Sequence, residues 1–299
     1  MHFIGVFNRD GGTFRTTDMP AFCARAEAIL GAQGHTLECR TVAGAEIVDA
    51  LKAAAADAGD GVLLAGGGDG TISAAAEIAF GAGVVLAVLP AGTMNLFTRA
   101  LGLPQDLEGA LAALASGEVK PVDIATANGR SFVHQFGVGI HARLVRIRDE
   151  LTYRSRFGKM LASVRAVAGA IVNPPRFAVE IETPSGRQQR TASGIAVSNN
   201  PAGDGHIPYA DALDQGLLGV YVAAPMSSWA LLGLLVRVLV GRWRNHPAVL
   251  EEEVTELTLI FPKRKRSARA VIDGELIKLD SRVEIKIHPR ALKVIVPVA

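Results

Sequence analysis

Residues 61–71 read GVLLAGGGDGT, a short apolar run that ends in glycines, an aspartate and a threonine. Residues 62–65 have the length and composition of a strand covered on both faces, although length alone does not exclude a buried helix segment. The glycines favour the strand, because a backbone without Cβ atoms takes positive φ readily and approaches phosphate oxygens closely. The stretch therefore predicts a buried strand that leads into a phosphate-binding loop formed by Gly66, Gly67, Gly68 and Gly70.

The residues that follow the glycines predict what this loop binds. Thr71 opens the Ala-rich stretch ISAAAEIAF, so the loop would lie at a helix N-terminus, where unpaired N–H groups and the helix dipole favour an anion. Asp69 would repel that anion unless it holds a cation or a hydroxyl, which favours a nucleotide with its metal. A tight strand-to-helix turn without a ligand is the alternative, because single glycine motifs often arise by chance.

A second loop of similar design follows about twenty residues later, in GVVLAVLPAGTMNLFTRALGLP at residues 83–104. Its apolar run, residues 84–89, predicts another strand, which turns through Gly92 and Thr93 into a helix-like segment that starts at Asn95. Ligands of parallel sheets bind at the carboxyl ends of the strands, so we expect both loops to face one cleft.

A change in the pattern of predicted helices and strands along the chain predicts two domains. Up to about residue 120, strand-like runs alternate with Ala-rich helical stretches, which is typical of a doubly wound α/β nucleotide-binding domain. After Asp123 the segments are short, rich in β-branched residues and separated by turns, which favours an antiparallel β-sandwich-like domain. Two helical stretches, residues 159–171 and 228–242, interrupt it. The predicted boundaries are residues 1–122 and 123–289.

The strings GGDGT at residues 67–71 and LPAGTMNLFTR at residues 89–99 together resemble the diacylglycerol kinase catalytic domain, found in ATP-dependent lipid kinases that include sphingosine kinases and bacterial lipid kinases. The first string alone is shared with NAD kinases, so the pair carries the specificity. The resemblance continues along the chain, through FIGVFN, VDIA, FGVGIHA and IDGE. It implies the same two-domain plan, with residues 290–299 returning to the first domain.

The resemblance implies that ATP and Mg²⁺ bind the first domain and that a lipid hydroxyl approaches from the second. Glu275 of IDGE is the implied base for that hydroxyl, with Asp273 beside it. In an extended strand these two carboxylates would share a face, whereas Gly274 could bend the chain into a hairpin turn. The implied nucleotide contacts are Asn8, Thr41, Gly67, Gly68, Asp69, Gly70, Thr71, Gly92, Thr93 and Asn95.

The metal ligands are where the sequence departs from the family it resembles. Family members carry an Asp-Asp-Gly-x-Leu-Asp-like string, whereas this chain reads ADALDQGLLGVYV, with Gln215 and Gly219 at positions where acids are common. Leu96 and Ala74 are further departures. Mg²⁺ accepts few protein ligands and several waters, so a shifted site stays open. Its candidates are Asp211, Asp214 and the Leu217 carbonyl, while Asp69 and Asp123 are candidates to support the ion that accompanies ATP.

Two other functions stay open. An NAD-kinase-like enzyme would share GGDGT but would not explain the GTMN segment at residues 92–95. A catalytically inactive pseudokinase that binds nucleotide or lipid is suggested by Gln215, Gly219 and Leu96. The retained IDGE string argues against it, because a chain without catalysis has no chemical need for a positioned acid.

Charge and hydropathy limit the partners. The chain has 299 residues, 49% of them hydrophobic, and a net charge of +2, as expected for a globular protein with two cores. Residues 229–240 are too few for the roughly 20 needed to span a bilayer, so they predict a packed helix or a helix that touches the membrane surface. The run KRKR at residues 263–266 is a solvated loop or a site for anionic lipid head groups. Without a stacking aromatic motif, we expect no nucleic-acid binding.

The remaining expectations concern location and assembly. Cys23 and Cys39 lack metal spacing and predict core thiols of a reducing compartment. The N-terminus enters a strand without a signal-peptide pattern, so we expect a cytoplasmic protein with peripheral contact at the inner face of the membrane. Edge strands of the second domain could pair across a two-fold axis, which would make a homodimer.

Overall fold

Residues 1–152, 174–203, 209–239, 243 and 246–298 are described by a computed structural model. The helices are α1 Met19–Ala32, α2 Ile47–Ala58, α3 Asp69–Ala82, α4 Leu96–Ala100, α5 Leu107–Ala115, α6 Ile140–Thr152 and α7 Ser228–Leu239. The strands are β1 His2–Asn8, β2 Thr36–Val42, β3 Val62–Gly67, β4 Val85–Pro90, β5 Glu118–Ala127, β6 Arg130–Phe132, β7 Gln135–Gly139, β8 Phe177–Thr183, β9 Gly186–Ala192, β10 Gly194–Asn199, β11 Leu218–Ala223, β12 Val249–Val254, β13 Glu256–Ile260, β14 Arg269–Ile272, β15 Glu275–Lys278 and β16 Arg282–Val296.

The first domain is a parallel α/β domain with the strand order β2-β1-β3-β4. Every residue of β3 is buried, because helices cover the sheet and the central strand lies between two others. The predicted strand at residues 62–65 is therefore confirmed. The helix after it begins at Asp69 rather than at Thr71, so Gly68 alone separates strand from helix.

The second domain is an antiparallel β-sandwich. A six-stranded sheet with the order β12-β11-β10-β7-β14-β15 faces the part of the longer sheet formed by β16, β13, β8 and β9. Their inner faces share one apolar core, to which Val138, Val197, Val220, Leu259 and Ile285 belong. Buried and exposed residues alternate in the first half of β16, a strand of 15 residues, and place Val283, Ile285 and Ile287 in this core. The fold class predicted from the sequence is confirmed.

Strand β16 connects the two domains. Its first half pairs with β13, and its second half reaches the first domain, where Val294 lies beside Leu86 of β4 in parallel register. A register shift between His288 and Leu292 separates two runs of pairing with β5. The longer sheet is thus continuous through both domains, and the predicted boundary at residues 122/123 falls inside β5.

The two cysteines are joined. Cys23 of α1 and Cys39 of β2 form a disulfide, with their Cα atoms 6.1 Å apart. The prediction of two free core thiols is wrong, because the packing of α1 on β2 brings together side chains that are 16 residues apart in sequence.

Helix α7 buries one face and exposes the other. Leu231 and Leu234 pack with Tyr221 and Trp243, whereas Trp229 is 82% exposed. The predicted helix at residues 228–242 is described to Leu239, and its packed face is confirmed. No helix among the described residues is long and apolar enough to cross a membrane. The other predicted helical stretch, residues 159–171, lies outside the described residues.

Candidate active site

The two glycine-containing loops of the first domain meet backbone to backbone. A Cβ atom on Gly92 would lie 2.7 Å from the Cα atom of Gly68, so position 92 has no room for a side chain that faces Gly68. The Ala91 N–H donates to the Gly67 carbonyl at 3.0 Å, which ties the loop after β4 to the end of β3. The structure therefore brings the two sequence motifs into one cleft at the carboxyl ends of parallel strands.

Asp69 holds these loops together. Its two carboxylate oxygens accept the backbone N–H groups of Asn95 and Leu96, at 3.1 and 2.7 Å. These N–H groups begin the short helix α4 and have no partner within it. Asn95 in turn accepts the Gly92 N–H at 2.8 Å and lies in the left-handed region, with φ 51°. Asp69 thus has two backbone partners that the sequence did not predict, and a cation at this carboxylate stays a prediction.

Space, rather than backbone conformation, requires glycine at positions 66 and 67. None of the four glycines predicted to take positive φ does so, and that expectation is wrong. A Cβ atom on Gly66 would lie 2.5 Å from the Phe7 ring, and one on Gly67 would lie 2.5 Å from the Thr71 side chain. These contacts pack β3 against its neighbours and allow the first turn of α3 to follow the strand without a longer loop.

The N-terminus of α3 is a candidate anion site. Gly68 is the N-cap and provides no side-chain acceptor for the N–H groups of the first turn. A helix of 14 residues directs those N–H groups and the positive end of its dipole into the cleft. The predicted phosphate-binding loop is thus the first turn of a helix, with Asp69 turned aside towards α4.

The other predicted nucleotide contacts lie around this helix end. Asn8 ends β1 and donates to the Thr71 hydroxyl at 3.4 Å, while Thr41 lies near the end of the neighbouring strand β2. Thr71 is buried behind the loop, whereas Thr93 is exposed at its mouth. Asn8, Thr41 and Thr93 therefore border the cleft, and Thr71 supports it from beneath.

Glu275 reaches the cleft from the second domain. Asp273 and Gly274 form the two-residue turn of the β14–β15 hairpin, both with positive φ, and Ile272 pairs with Glu275. The hairpin interpretation is confirmed and the shared strand face is wrong. A Cβ atom on Gly70 would lie 3.4 Å from Glu275 Oε1, so this carboxylate stands directly beside the first turn of α3.

Arg130 is a residue of this site that the sequence gave no reason to select. Its Nη2 donates to Glu275 Oε2 at 2.7 Å. The pair is partly exposed, with 41% of the Arg130 side chain and 56% of the Glu275 side chain accessible. A guanidinium therefore lies beside the carboxylate that faces the phosphate site. No motif surrounds Arg130, so only the folded β5–β6 hairpin reveals it.

Asp273 is a hydrogen-bond hub. Its carboxylate accepts the Ser73 hydroxyl of α3 at 2.7 Å and three backbone N–H groups, from Val133, His134 and Gln135, at 2.9 to 3.0 Å. The Asp273 residue is buried. Four donors satisfy its carboxylate, so we assign Asp273 a positioning role, not that of a base.

His134 lies close to two of these acids. Burial lowers the pKa of the His134 imidazole below its usual value, and the negative charges of Asp273 and Asp69 partly oppose this shift. His134 lies beside the contact between the two domains, where a neutral ring is favoured.

The predicted metal ligands do not converge. Asp123 is fully buried, and its two oxygens accept the N–H groups of Gly216 and Arg290, at 2.6 and 2.8 Å, so it is not positioned with Asp69. Asp214 pairs with Lys120 at 3.4 Å. Among the described residues, no three His, Cys, Asp or Glu side chains form a cluster that could hold a metal ion. Asp123 and Asp214 thus have other partners in the fold, and a shifted Mg²⁺ site at Asp211, Asp214 and the Leu217 carbonyl stays a prediction.

Packing explains one departure from the family string. A Cβ atom on Gly219 would lie 2.7 Å from both Ser198 Oγ and Tyr221 Oη, so an acid has no room there. The Tyr221 hydroxyl accepts the Ala202 N–H at 2.7 Å and fills this space. A tyrosine and a hydrogen-bonded loop thus stand where relatives of this sequence pattern carry a carboxylate.

Comparison with known protein families agrees with this arrangement. Residues 2–127 match the diacylglycerol kinase catalytic domain, and residues 135–296 match the YegS C-terminal NAD kinase beta sandwich-like domain. The chain therefore belongs to the family of proteins that join a diacylglycerol kinase catalytic domain to a YegS C-terminal domain. The junction between the two matches lies at β6, next to Arg130 and the donors of Asp273.

Individual relatives support this family. A protein of Pseudomonas aeruginosa strain UCBPP-PA14 named probable lipid kinase YegS-like is 34% identical over 195 residues, which are 60% of this chain and 60% of that protein. An uncharacterized Synechocystis protein, sll0036, is 29% identical over 253 residues, which are 80% of this chain and 56% of that protein. The chain thus spans little more than half the length of these relatives. The crystal structure of a diacylglycerol kinase from Bacillus anthracis str. Sterne has the same fold, with a TM-score of 0.70 at 19% identity over 99% of this chain and 96% of that one.

Proposed function

We propose that this protein is a lipid kinase that transfers the γ-phosphate of ATP to a hydroxyl of a lipid. The observation that carries the proposal is the position of Glu275 beside Gly70, at the N-terminus of α3. Phosphoryl transfer requires a cradle for the phosphates and an acceptor for the hydroxyl proton. The two domains each supply one of these and bring them together in one cleft.

The first step is nucleotide binding. ATP enters as its magnesium complex, with its phosphates at the first turn of α3 and its nucleoside along the ends of β1 and β2. The uncapped N–H groups of the helix and the touching glycines Gly68 and Gly92 support this placement, because a side chain at either position would narrow the cleft.

The second step is proton removal. Glu275 accepts the proton of the lipid hydroxyl as the oxygen attacks the γ-phosphorus, ADP leaves, and the product is a lipid phosphate. The Glu275 side chain is accessible, so a substrate can reach it. Arg130 holds the carboxylate in place before the substrate arrives. Asp273 supports the turn that carries Glu275 and joins that turn to α3 through Ser73.

The acceptor is a lipid at a membrane surface, and the protein contacts that surface peripherally. Support comes from the family, from the relative named as a lipid kinase, and from the exposed Trp229 of α7. A cytoplasmic location stays a prediction. So does a homodimer, for which the edge strands of the second domain among the described residues include β12 and β15 of one sheet and β9 of the other.

A γ-phosphate transfer assay tests the proposal. Purified protein is incubated with labelled ATP, Mg²⁺ and a panel of lipids in mixed micelles, with NAD as a soluble acceptor. A labelled lipid that is absent with Glu275→Gln supports the proposal. Labelled NADP would support an NAD-kinase-like enzyme, and nucleotide binding without any labelled product would support a pseudokinase.

A further inference from the structure

A pocket of about 510 Å³ opens at the end of the β-sandwich, away from the cleft described above. Its floor is apolar. Val138, Phe261 and Leu279 belong to the core between the two sheets, Phe177 packs against that core, and Ala142 comes from α6. The rings of Phe177 and Phe261 lie 6.0 Å apart. Apolar side chains at the edge of the sandwich core therefore line this pocket.

The rim of the pocket is cationic. Seven Lys and Arg side chains line it, and no Asp or Glu does so among the described residues: Arg143, Arg146, Arg176, Lys263, Arg264, Lys265 and Arg269. The chain as a whole has a net charge of only +2, so this concentration of one sign is local. Three of the seven come from the KRKR run, to which the proposed phosphoryl transfer assigns no role.

Arg264 adds a second indication of a ligand. Its Nη1 atom is buried and has no hydrogen-bond acceptor in the part of the chain that the structure describes. A buried guanidinium N–H without an acceptor is costly, and an anion that enters the pocket would supply one. An apolar floor with a cationic rim matches a molecule that has an apolar tail and an anionic head.

The pocket is separate from the phosphoryl-transfer centre. Arg269 lines the pocket and pairs with Lys278 at one end of the β14–β15 hairpin, whereas Glu275 lies beside the turn at the other end. Arg269 and Ile272, the partner of Glu275, are three positions apart, which corresponds to about 10 Å along a strand. A head group at the rim is therefore not the hydroxyl that Glu275 deprotonates.

We propose that this pocket binds an anionic phospholipid of the bilayer, with an acyl chain on the apolar floor and the phosphate at the cationic rim. The bound lipid anchors the second domain at an anionic membrane surface. Each cation near such a surface adds attraction, which falls off within a Debye length. The proposal does not depend on kinase activity, because the ligand is an anchor and not the acceptor.

Vesicle binding tests the proposal without any turnover. The full-length protein is mixed with phosphatidylcholine vesicles, with or without phosphatidylglycerol, and bound protein is measured by flotation. The double variant Lys263→Glu with Lys265→Glu is expected to bind phosphatidylglycerol vesicles at least tenfold more weakly than the unchanged protein. The matched control, Lys52→Glu with Lys293→Glu, makes the same charge change at exposed positions outside the pocket and is expected to bind normally.

A third variant tests the chain-binding floor. Ala178 is exposed and lines the pocket, so Ala178→Trp narrows the pocket without removing a cation or disturbing the core. It is expected to weaken binding to phosphatidylglycerol vesicles at least threefold. If Ala178→Trp binds these vesicles as well as the unchanged protein does, the acyl chain does not enter the pocket and only electrostatic attraction to the membrane surface remains.

If the Lys52/Lys293 control loses as much vesicle binding as the Lys263/Lys265 variant, the net charge of the protein explains the binding and the local site is ruled out.

Measurements of kinase activity distinguish the failure of this proposal from the failure of the proposed function. With a short-chain diacylglycerol in neutral detergent, the Lys263/Lys265 variant is expected to retain its activity, because the micelle carries no anionic head group. Glu275→Gln is expected to bind vesicles normally. If the Lys263/Lys265 variant loses activity in neutral detergent, the two sites are not separate. If an equal concentration of inorganic phosphate or of an acidic peptide displaces the bound vesicles, the ligand of the pocket is not a lipid.

Discussion

Ser73 and Asp273 are 200 residues apart in sequence and are joined by a hydrogen bond of 2.7 Å between the hydroxyl and the carboxylate. The bond connects α3, at whose first turn we propose that the phosphates bind, to the turn that carries Glu275. The spacing of α3 and this turn is therefore set by one short contact between the two domains, supported by three backbone N–H groups on the same carboxylate.

Removing this contact should lower catalysis more than stability. Ser73→Ala loses one hydrogen bond, so we expect the free energy of unfolding to fall by about 1 kcal/mol. The rate constant kcat should fall more steeply, because small displacements of a base are costly. Denaturant unfolding and initial rates measure the two effects. Equal kcat in Ser73→Ala and the unchanged protein would contradict the positioning role.

Asp273→Asn should be more damaging. The amide nitrogen places a donor among four donors, which leaves at least one buried N–H unpaired at a cost of about 1–3 kcal/mol. We expect lower stability together with lower kcat. A variant with normal stability would show that the surrounding backbone groups find other partners.

Glu275→Gln should abolish proton acceptance and leave the fold intact. The side chain is largely exposed, so stability should change little, while kcat should fall about 10²- to 10⁴-fold, the range typical of a general base. Nucleotide affinity, measured by calorimetry, should stay close to normal. Full turnover of the variant would remove Glu275 from its assigned role.

Arg130 should matter through its contact with Glu275. Its ion pair is partly exposed and contributes little to stability. We expect Arg130→Ala to lower kcat about tenfold, which corresponds to about 1.4 kcal/mol in the barrier, and Arg130→Lys to restore part of the loss. The control is Arg190→Ala. Arg190 is an exposed arginine of β9 that donates to Gln188, and its replacement should leave kcat unchanged. An equal effect of both alanine variants would show that surface charge, and not the pair, matters.

Gly70→Ala should block the cleft. The new methyl group would lie 3.4 Å from Glu275 Oε1, between the carboxylate and the helix end where we place the phosphates. We expect a tenfold or larger rise in the KM for ATP, measured by initial rates. Gly81→Ala lies in the same helix with open space around it, and it should leave KM unchanged. If the two variants have the same KM, the phosphates do not pass beside Gly70.

The disulfide should raise the thermal stability of the purified protein and hide its two thiols from thiol reagents. Cys23 and Cys39 close a loop of 16 residues, and such a cross-link stabilises a fold by about 3 kcal/mol in the loop-entropy model. We expect a reductant to lower the melting temperature and to release two titratable thiols. Two thiols that react without reductant would contradict the disulfide.

Local patterns in the sequence were enough to predict the α/β domain, the β-sandwich and the two loops that meet. Residues 61–71 carry a buried strand and the start of a helix in one short stretch, and the Asp-Gly turn before Glu275 permits a hairpin because both residues tolerate positive φ. These features depend on residues that are neighbours in the chain, and their physics is local.

Only the tertiary structure decided the partners of the polar groups. From the sequence, Asp69 suggested a cation, Asp123 a metal support, and Cys23 a free thiol. The structure instead gives these residues two helix N–H groups, two backbone N–H groups and a second cysteine. Arg130 and Ser73 became visible as part of the site for the same reason. A polar side chain is satisfied by whatever the fold brings within about 3 Å, and those groups come from strands and helices tens to hundreds of residues away.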